Sequence, residues 1–390
     1  MARRTVSPGL PLAGKRIVLG VSGSIAAVVA PTLAERWVRD GASVLPVLSP
    51  AAQRLVRPPA FAAVGCKPAV TSLSGRGEHV AALGDARGGG ADLLVLAPAT
   101  ANTVSKVALG VDDNALLTFA TTLAARVPIL VAPAMHATML ANPPVQENLA
   151  RLRARGAVVL AARMEEEAAK MASIEEIDAH ARRLLSGRPL ANRRVLVVAG
   201  PTAEPLAEDL VLTNRASGAT GVALAEEAFR RGAEVELWMG DVEEPVPTWI
   251  GFRRFSTVDD LLALAPLARG FDAVFVPAAV GDYAPAARAN GPGEVPLRPL
   301  PKFVDAVRKH FAGPLVAWKA QAGGDDAALR RRAQELRARL DATLVVGNRV
   351  EDVSAARTRA LLVAARSAQP FEGTREALAA ALLEAVFPRR

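Results

Sequence analysis

Residues able to do chemistry in this chain cluster where short apolar runs end. Lys15–Val21 (KRIVLGV) leads into Ser22-Gly23-Ser24-Ile25, and Ser43–Leu48 stops at Ser49. Leu93–Ala97 closes on Pro98-Ala99-Thr100 with Asn102 just beyond, and Ile129–Ala132 closes on Pro133-Ala134-Met135-His136. Runs this short and rich in Leu and Val read as strands buried on both faces of a parallel sheet. The residues just past each run therefore gather at the carboxyl edge, where open α/β folds bind ligands. Small residues at a strand-to-helix junction let backbone N–H groups hold one phosphate, with the Ser22 and Ser24 hydroxyls as further donors. No lysine follows the glycine and the G-x-G-x-x-G spacing is missing, so this is neither a triphosphate P-loop nor a dinucleotide fingerprint. His79 in GEHVAAL, His136, and Lys170 in EEEAAKMASIEEI are the acid–base candidates. A capped surface histidine, a solvated helix face for Lys170, and core packing for Met135 and Met139 are the plain alternatives.

The elements that must position these groups repeat along the chain. Residues 15–49 form a βαβ unit, with a helix from the Ser22–Ala27 turn to about Asp40, stopped by Gly41. A buried helix from Ala115 feeds the Ile129 strand, Leu149–Arg155 is helical, Ala157–Ala161 is a short strand, and Ile174–Leu185 is a closing helix. Ser186–Arg194 (SGRPLANRR) mixes Gly, Pro and charge and marks a boundary, which predicts domains at 1–187 and 188–390. The pattern then restarts with Val195–Ala199 and Gly200-Pro201-Thr202. A glycine-bearing turn and helix come next, then buried strands at Ala273–Val276, Leu315–Ala317 and Leu344–Val346. Gly281–Pro301, rich in Pro and Gly, reads as a long loop of the functional kind. The expected fold class is α/β, with two Rossmann-like domains in series, the first flavodoxin-like.

Composition excludes several classes. With 390 residues and half of them hydrophobic, each half can bury a core. The single cysteine, Cys66, rules out an intrachain disulfide and fits a reducing compartment. The first residues carry no apolar signal segment, and the most membrane-like stretch, Ala115–Met135, is divided by Arg126 and Pro128. A soluble cytoplasmic protein with no membrane partner is expected. The formal charge of +8 invites a nucleic-acid reading, but only 4% of residues are aromatic and the arginines spread along solvated faces such as Leu329–Leu340. No nucleic-acid partner is expected; phosphorylated small molecules suit the charge better.

PATANTVSKVALGVDDN and PAMHATM resemble the flavin- and substrate-binding signatures of the flavin-dependent cysteine decarboxylases. Along nearly its whole length the chain is similar to the bifunctional flavoproteins of coenzyme A biosynthesis, in which a phosphopantothenoylcysteine decarboxylase precedes a phosphopantothenate–cysteine ligase. His136 stands where bacterial members have a carboxylate-binding Asn. That exchange, together with the segment from Glu165 to Ile177, is similar to the archaeal branch. The resemblance implies FMN held by Ser22, Gly23, Ser24, Ile25, Ser49, Pro98, Thr100, Asn102 and Met135. It also implies catalytic roles for His79, His136 and Lys170, and a homo-oligomer built on trimers of the flavin domain. The implied reaction is decarboxylation of the cysteine moiety of 4′-phosphopantothenoylcysteine. The bacterial flap cysteine has no counterpart in Met164–Ala172; Lys170 matches a lysine of the archaeal flap, and the resemblance implies it as the proton donor.

The second half resembles the ligase signature through Gly200-Pro201-Thr202, Asn214, Ser217, Gly218, Gly221 and VPAAVGDYAP. The family uses CTP and Mg²⁺ to activate phosphopantothenate as an acyl-cytidylate. By resemblance the nucleotide falls to Ala278, Ala279, Asp282, Arg288, Lys302, Trp318 and Asn348, and the activated carbonyl to Asn214. Three departures stand out. Leu210 replaces an arginine, Ala219 replaces a lysine, and the lysine-rich loop after Asp282 becomes ARANGPGEVPLRPLPK, with Arg288, Arg298 and Lys302 as the substitutes. Three readings are open: a bifunctional enzyme, a decarboxylase carrying a silent ligase-like module, or a non-catalytic flavoprotein regulator or partner subunit.

Overall fold

A computed structural model describes residues 10–84, 89–166, 168–242, 244–287, 293–323, 325–349 and 357–388. The chain divides into two compact units, Met1–Leu185 and Ser186–Arg390.

The strands of the first unit are β1 (Arg16–Val21), β2 (Ser43–Leu48), β3 (Leu93–Ala99), β4 (Ile129–Pro133), β5 (Met135–His136), β6 (Val158–Val159), β7 (Arg163–Glu165) and β8 (Ala168–Lys170). Its helices are α1 (Ala30–Arg39), α2 (Pro58–Ala63), α3 (Glu78–Ala81), α4 (Ala101–Leu109), α5 (Ala115–Leu123), α6 (Ala137–Ala141), α7 (Pro143–Ala154) and α8 (Ile174–Leu185). Five strands make a parallel sheet in the order β2-β1-β3-β4-β6. This is the flavodoxin-like order, and its reversal between β1 and β3 opens a crevice at the carboxyl edge. Side-chain alternation along β1 explains why no polar position interrupts the run. Ile17, Leu19 and Val21 face one buried cluster with Leu33 and Trp37 of α1 and Ile177 of α8. Val18 faces another with Val104, Phe119 and Leu149, from α4, α5 and α7. A separate antiparallel ribbon, β5-β8-β7, pairs His136 with Ala168 and Glu165 with Ala168 from its other side.

In the second unit the strands are β9 (Arg194–Ala199), β10 (Ala203–Pro205), β11 (Val211–Thr213), β12 (Glu234–Met239), β13 (Gly251–Arg254), β14 (Ala273–Val276), β15 (Tyr283–Pro285), β16 (Leu297–Pro299), β17 (Leu315–Gln321), β18 (Leu344–Arg349), β19 (Thr358–Val363) and β20 (Ala368–Gly373). The helices are α9 (Ala219–Arg230), α10 (Val258–Leu264), α11 (Phe303–His310), α12 (Asp326–Leu340) and α13 (Arg375–Val386). The main sheet runs β13-β12-β9-β14-β17-β18-β19-β20, parallel through β18. Its first six strands have the doubly wound order, reversing between β9 and β14. The last two are an antiparallel hairpin, Thr358 opposite Gly373. The expected long loop over Gly281–Pro301 instead contains the β15–β16 hairpin, in which Tyr283 pairs with Pro299. Proline is admissible there because each strand has an edge without a ladder partner among the described residues.

No helix among the described residues is long and apolar enough to cross a membrane.

Candidate active sites in two units

The crevice of the first unit is a cavity of about 1190 Å³, lined by the tips of β1, β2, β3 and β4 and by the β5-β8 ribbon. Gly23, Ser24, Ile25, Ser49, Thr100, Asn102, Met135, His136 and Lys170 all line it, so residues up to 147 positions apart in sequence meet at one edge. Gly23 is required by close approach. A Cβ there would lie 2.4 Å from the Cβ of Ala51. The Thr100 hydroxyl caps α4 by accepting from Thr103 N–H, so the N-terminal turn of α4 faces the cavity and favours an anion. Ser49 is buried and its hydroxyl accepts from Ala52 N–H at 3.2 Å.

Two residues expected in this site are not in its wall. Ser22 is 1% exposed; its hydroxyl donates to the Pro98 carbonyl at 2.7 Å and accepts from Thr100 N–H at 2.9 Å. Those two bonds occupy its proton and one lone pair. Pro98 is buried within β3 and offers that carbonyl, not a surface. The pair ties the β1 and β3 tips together beside the pocket. Ser22→Ala should lower unfolding free energy by about 1–3 kcal/mol, the cost of stranding buried polar partners. Chemical denaturation checks this, and an unchanged midpoint would show that the tie is dispensable.

His136 is the N-cap of α6. Its Nδ1 accepts Thr138 N–H at 3.3 Å and lies 2.9 Å from the Thr138 hydroxyl. With Nδ1 accepting, the neutral ring carries its proton on Nε2 and is a donor there. Lys170 lines the cavity from β8 with its ammonium bonded to Glu165. That hydrogen bond holds the Glu165 carboxyl below its ordinary range. His79 sits on α3, which packs on α5, and is not among the cavity-lining residues; its Nδ1 is buried without a hydrogen-bond partner among the described residues. The structure therefore brings His136 and Lys170 together and leaves His79 apart. Lys106, Asp113, Asn114 and Arg163 also line the cavity; the first three belong to the PATANTVSKVALGVDDN stretch, whereas the sequence position of Arg163 gives no sign of it. Lys106 and Asp113 form an ion pair across the Gly110 end of α4, inside the very stretch that marks the β3 tip.

In the second unit a cleft of about 750 Å³ lies at the β9/β14 reversal. Asn214, Ala278, Ala279, Asp282, Trp318 and Asn348 line it. Asn214 Nδ2 donates to the Ala279 carbonyl at 3.1 Å, which fixes one amide N–H against the β14 tip. The N-terminus of α9 enters the cleft at Gly218, whose φ of 79° suits glycine, and Gly221, where a Cβ would lie 2.1 Å from that of Ala199. Lys302 is outside the lining and is paired with Asp282. Arg298 is exposed on β16 and also outside it. Arg288 lies outside the described residues. Arg215, Lys319, Arg375 and Thr358 line the cleft without having stood out in the sequence, although Arg215 follows Asn214 directly and Lys319 follows Trp318.

Residues 6–186 match the Flavoprotein family, and residues 190–388 match the DNA/pantothenate metabolism flavoprotein C-terminal domain. The chain is 39% identical over 363 residues to the coenzyme A biosynthesis bifunctional protein CoaBC of Thermococcus kodakarensis, covering 90% of this chain and 89% of that one. It is 35% identical over 283 residues to the protein of the same name from Vibrio cholerae, covering 70% of each. It is also similar to the crystal structure of a DNA/pantothenate metabolism flavoprotein from Streptococcus pneumoniae, with 22% identity, 49% of this chain and 97% of that one covered, and a TM-score of 0.46. With both halves matched in one chain, the protein belongs to the family of coenzyme A biosynthesis bifunctional proteins, flavoproteins that join a decarboxylase to a ligase.

Proposed function

We propose that the second unit couples 4′-phosphopantothenate to cysteine at the expense of CTP, and that the first unit decarboxylates the resulting 4′-phosphopantothenoylcysteine to 4′-phosphopantetheine with FMN. The observation that carries this reading is the presence of two clefts, each at the strand-order reversal of its own sheet, with different linings. The first cavity suits FMN. Gly23 leaves room where a Cβ would collide with Ala51, the α4 N-terminus favours a phosphate, and Ile25, Met135 and Met139 offer apolar walls. Gly23, Ser24, Ser49, Thr100 and Asn102 would hold it. Bound there, FMN supplies the electron sink that a simple carboxylate needs to lose CO₂.

The chain's own residues bind, orient and supply protons. His136 presents Nε2–H to the substrate carboxylate, fixed in that tautomer by Thr138. Lys170 holds a proton at Nζ beside Glu165 and delivers it on the ribbon side of the cavity. A homo-oligomer built on trimers of the first unit suits the exposed Ile25, Val28 and Met139, the first and last at the cavity wall. A second copy would then be the source of His79. In the second unit Trp318, Asn348 and Asp282 line the cleft and would hold the nucleotide, and Asn214 would orient the activated carbonyl for attack by the cysteine amine. Mg²⁺ commonly takes one or two carboxylates plus substrate phosphates. No group of three metal-binding side chains occurs among the described residues, which leaves Asp282 as the carboxylate of the cleft. The single free cysteine, Cys66, whose thiol burial pushes up to about 11, fits a reducing cytoplasmic setting.

The test is a coupled assay on the purified full chain. With 4′-phosphopantothenate, cysteine, CTP and Mg²⁺ it should release pyrophosphate, and with FMN present it should then release CO₂. Nucleotide binding without pyrophosphate would support the second reading, motivated by Leu210 and Ala219, in which this unit is a silent module.

A further inference from the structure

The second cleft carries charge that the sequence motifs do not account for. Its lining contains three cations, Arg215, Lys319 and Arg375, against a single carboxylate, Asp282. That carboxylate is already balanced by Lys302 from outside the lining. Neither Arg215 nor Lys319 has an ion-pair partner among the described residues, and they stand on different elements. Arg215 follows the β11 strand just before the α9 N-terminus, whereas Lys319 is on β17 in register with Gly347 of β18. The 12-residue helix α9 points its N-terminal turn into the same cleft, from Gly218 to Gly221. An independent feature lies in the wall: Thr358 is 4% exposed, and its hydroxyl has no hydrogen-bond partner among the described residues. A buried hydroxyl without a partner is costly in a folded protein, and a ligand oxygen would satisfy it.

We infer that Arg215 and Lys319 are the polyphosphate-binding residues of this cleft, acting with the α9 N-terminus and the Thr358 hydroxyl on a nucleoside triphosphate. This rests on the nucleotide reading of the second unit and deepens it by naming its charge-neutralising groups. Neither Lys302, which is paired with Asp282, nor Arg298, exposed on β16, is in the lining. Arginine and lysine divide the work by shape. The guanidinium offers a planar fork to two oxygens, and the ammonium is a movable point charge.

The experiment measures binding of inorganic tripolyphosphate, CTP and cytidine to the full-length protein and to Arg215→Ala, Lys319→Ala and the double variant. Each single variant should bind tripolyphosphate and CTP roughly tenfold or more weakly, the scale of a lost charge-assisted hydrogen bond. Cytidine binding and bound flavin should be unchanged, which separates loss of a phosphate contact from loss of fold. Ala219, at the first turn of α9, lines the same cleft. Adding Ala219→Lys to Lys319→Ala should therefore recover part of the lost tripolyphosphate affinity. Tripolyphosphate affinity equal to wild type in the double variant overturns the inference. Wild-type protein that binds tripolyphosphate but not CTP leaves the anion site standing and overturns the nucleotide reading instead.

Discussion

Replacing His136 by alanine is expected to lower CO₂ release from 4′-phosphopantothenoylcysteine by about 100-fold or more, the scale of a lost proton-transfer or charge-orienting group, with FMN still bound. The flavin should stay because the positions proposed to hold it, Gly23 to Ile25, Ser49 and the α4 N-terminus, belong to other strand tips. The substitution removes two things at once, the imidazole that lines the cavity and the cap on Thr138 N–H. His136→Asn separates them. An asparagine side chain can cap a helix and still donate an N–H, so this variant should keep most of the activity. Rapid-mix measurement of CO₂ release, with flavin absorbance as the binding readout, checks both variants. Wild-type rates in His136→Ala would remove this residue from the reaction.

His79 provides the contrast. It lies on the short helix α3, outside the cavity of its own chain. If a neighbouring copy completes the site, His79→Ala should lose activity on the scale of His136→Ala. A variant mixture made with His136→Ala subunits should regain part of it, because one chain can supply the group that the other lacks.

The architecture was legible because burial on two faces leaves a blunt mark in sequence. Val195–Ala199, Ala273–Val276 and the run from Leu93 are continuous apolar segments of strand length that end at turn residues, the pattern of a central parallel strand. Ligand-edge positions can be read from strand ends alone, which is why Gly23, Thr100, Asn102 and Ala279 fall in the clefts. The same logic fails one residue away. Ser22 and Ser24 flank one glycine, and which hydroxyl turns inward is decided by a partner 76 residues distant, the Pro98 carbonyl. Local spacing carries no trace of that. The β15–β16 hairpin hid behind proline and glycine, which report a departure from regular central strands without excluding edge pairing. Charge was the least legible quantity. Lys302 looks available in sequence and is paired with Asp282, whereas Lys319 sits inconspicuously in AWKAQ and reaches the cleft.

The largest stability effect is expected away from the reacting atoms, at Asp178. This carboxylate is 8% exposed on α8. It accepts from the indole Nε1 of Trp37 at 2.9 Å and from Arg182 Nε at 2.9 and 3.0 Å, and Arg182 in turn bonds Asp40 just past α1. Asp178→Ala would leave a fully buried indole N–H without its partner and a mostly buried guanidinium with only one of its two carboxylates. Breaking such a buried pair from one side costs about 3–5 kcal/mol. Trp37→Phe, which deletes only the indole bond and keeps most of the ring volume, should cost less, about 1–2 kcal/mol. The clamp bears on function through position. Helix α1 comes directly after the Ile25–Val29 turn, and α8 directly after Met171–Ser173, so both helices begin at the cavity wall. Loosening their contact should therefore weaken flavin binding as well as folding. Urea titrations at fixed FMN concentration measure both, because the ligand itself raises apparent stability. The first unit's transition should move to lower urea while the second unit's stays in place. A loss below about 1 kcal/mol in Asp178→Ala would mean that Leu33, Trp37, Ile177 and Ala181 hold the two helices by apolar packing alone.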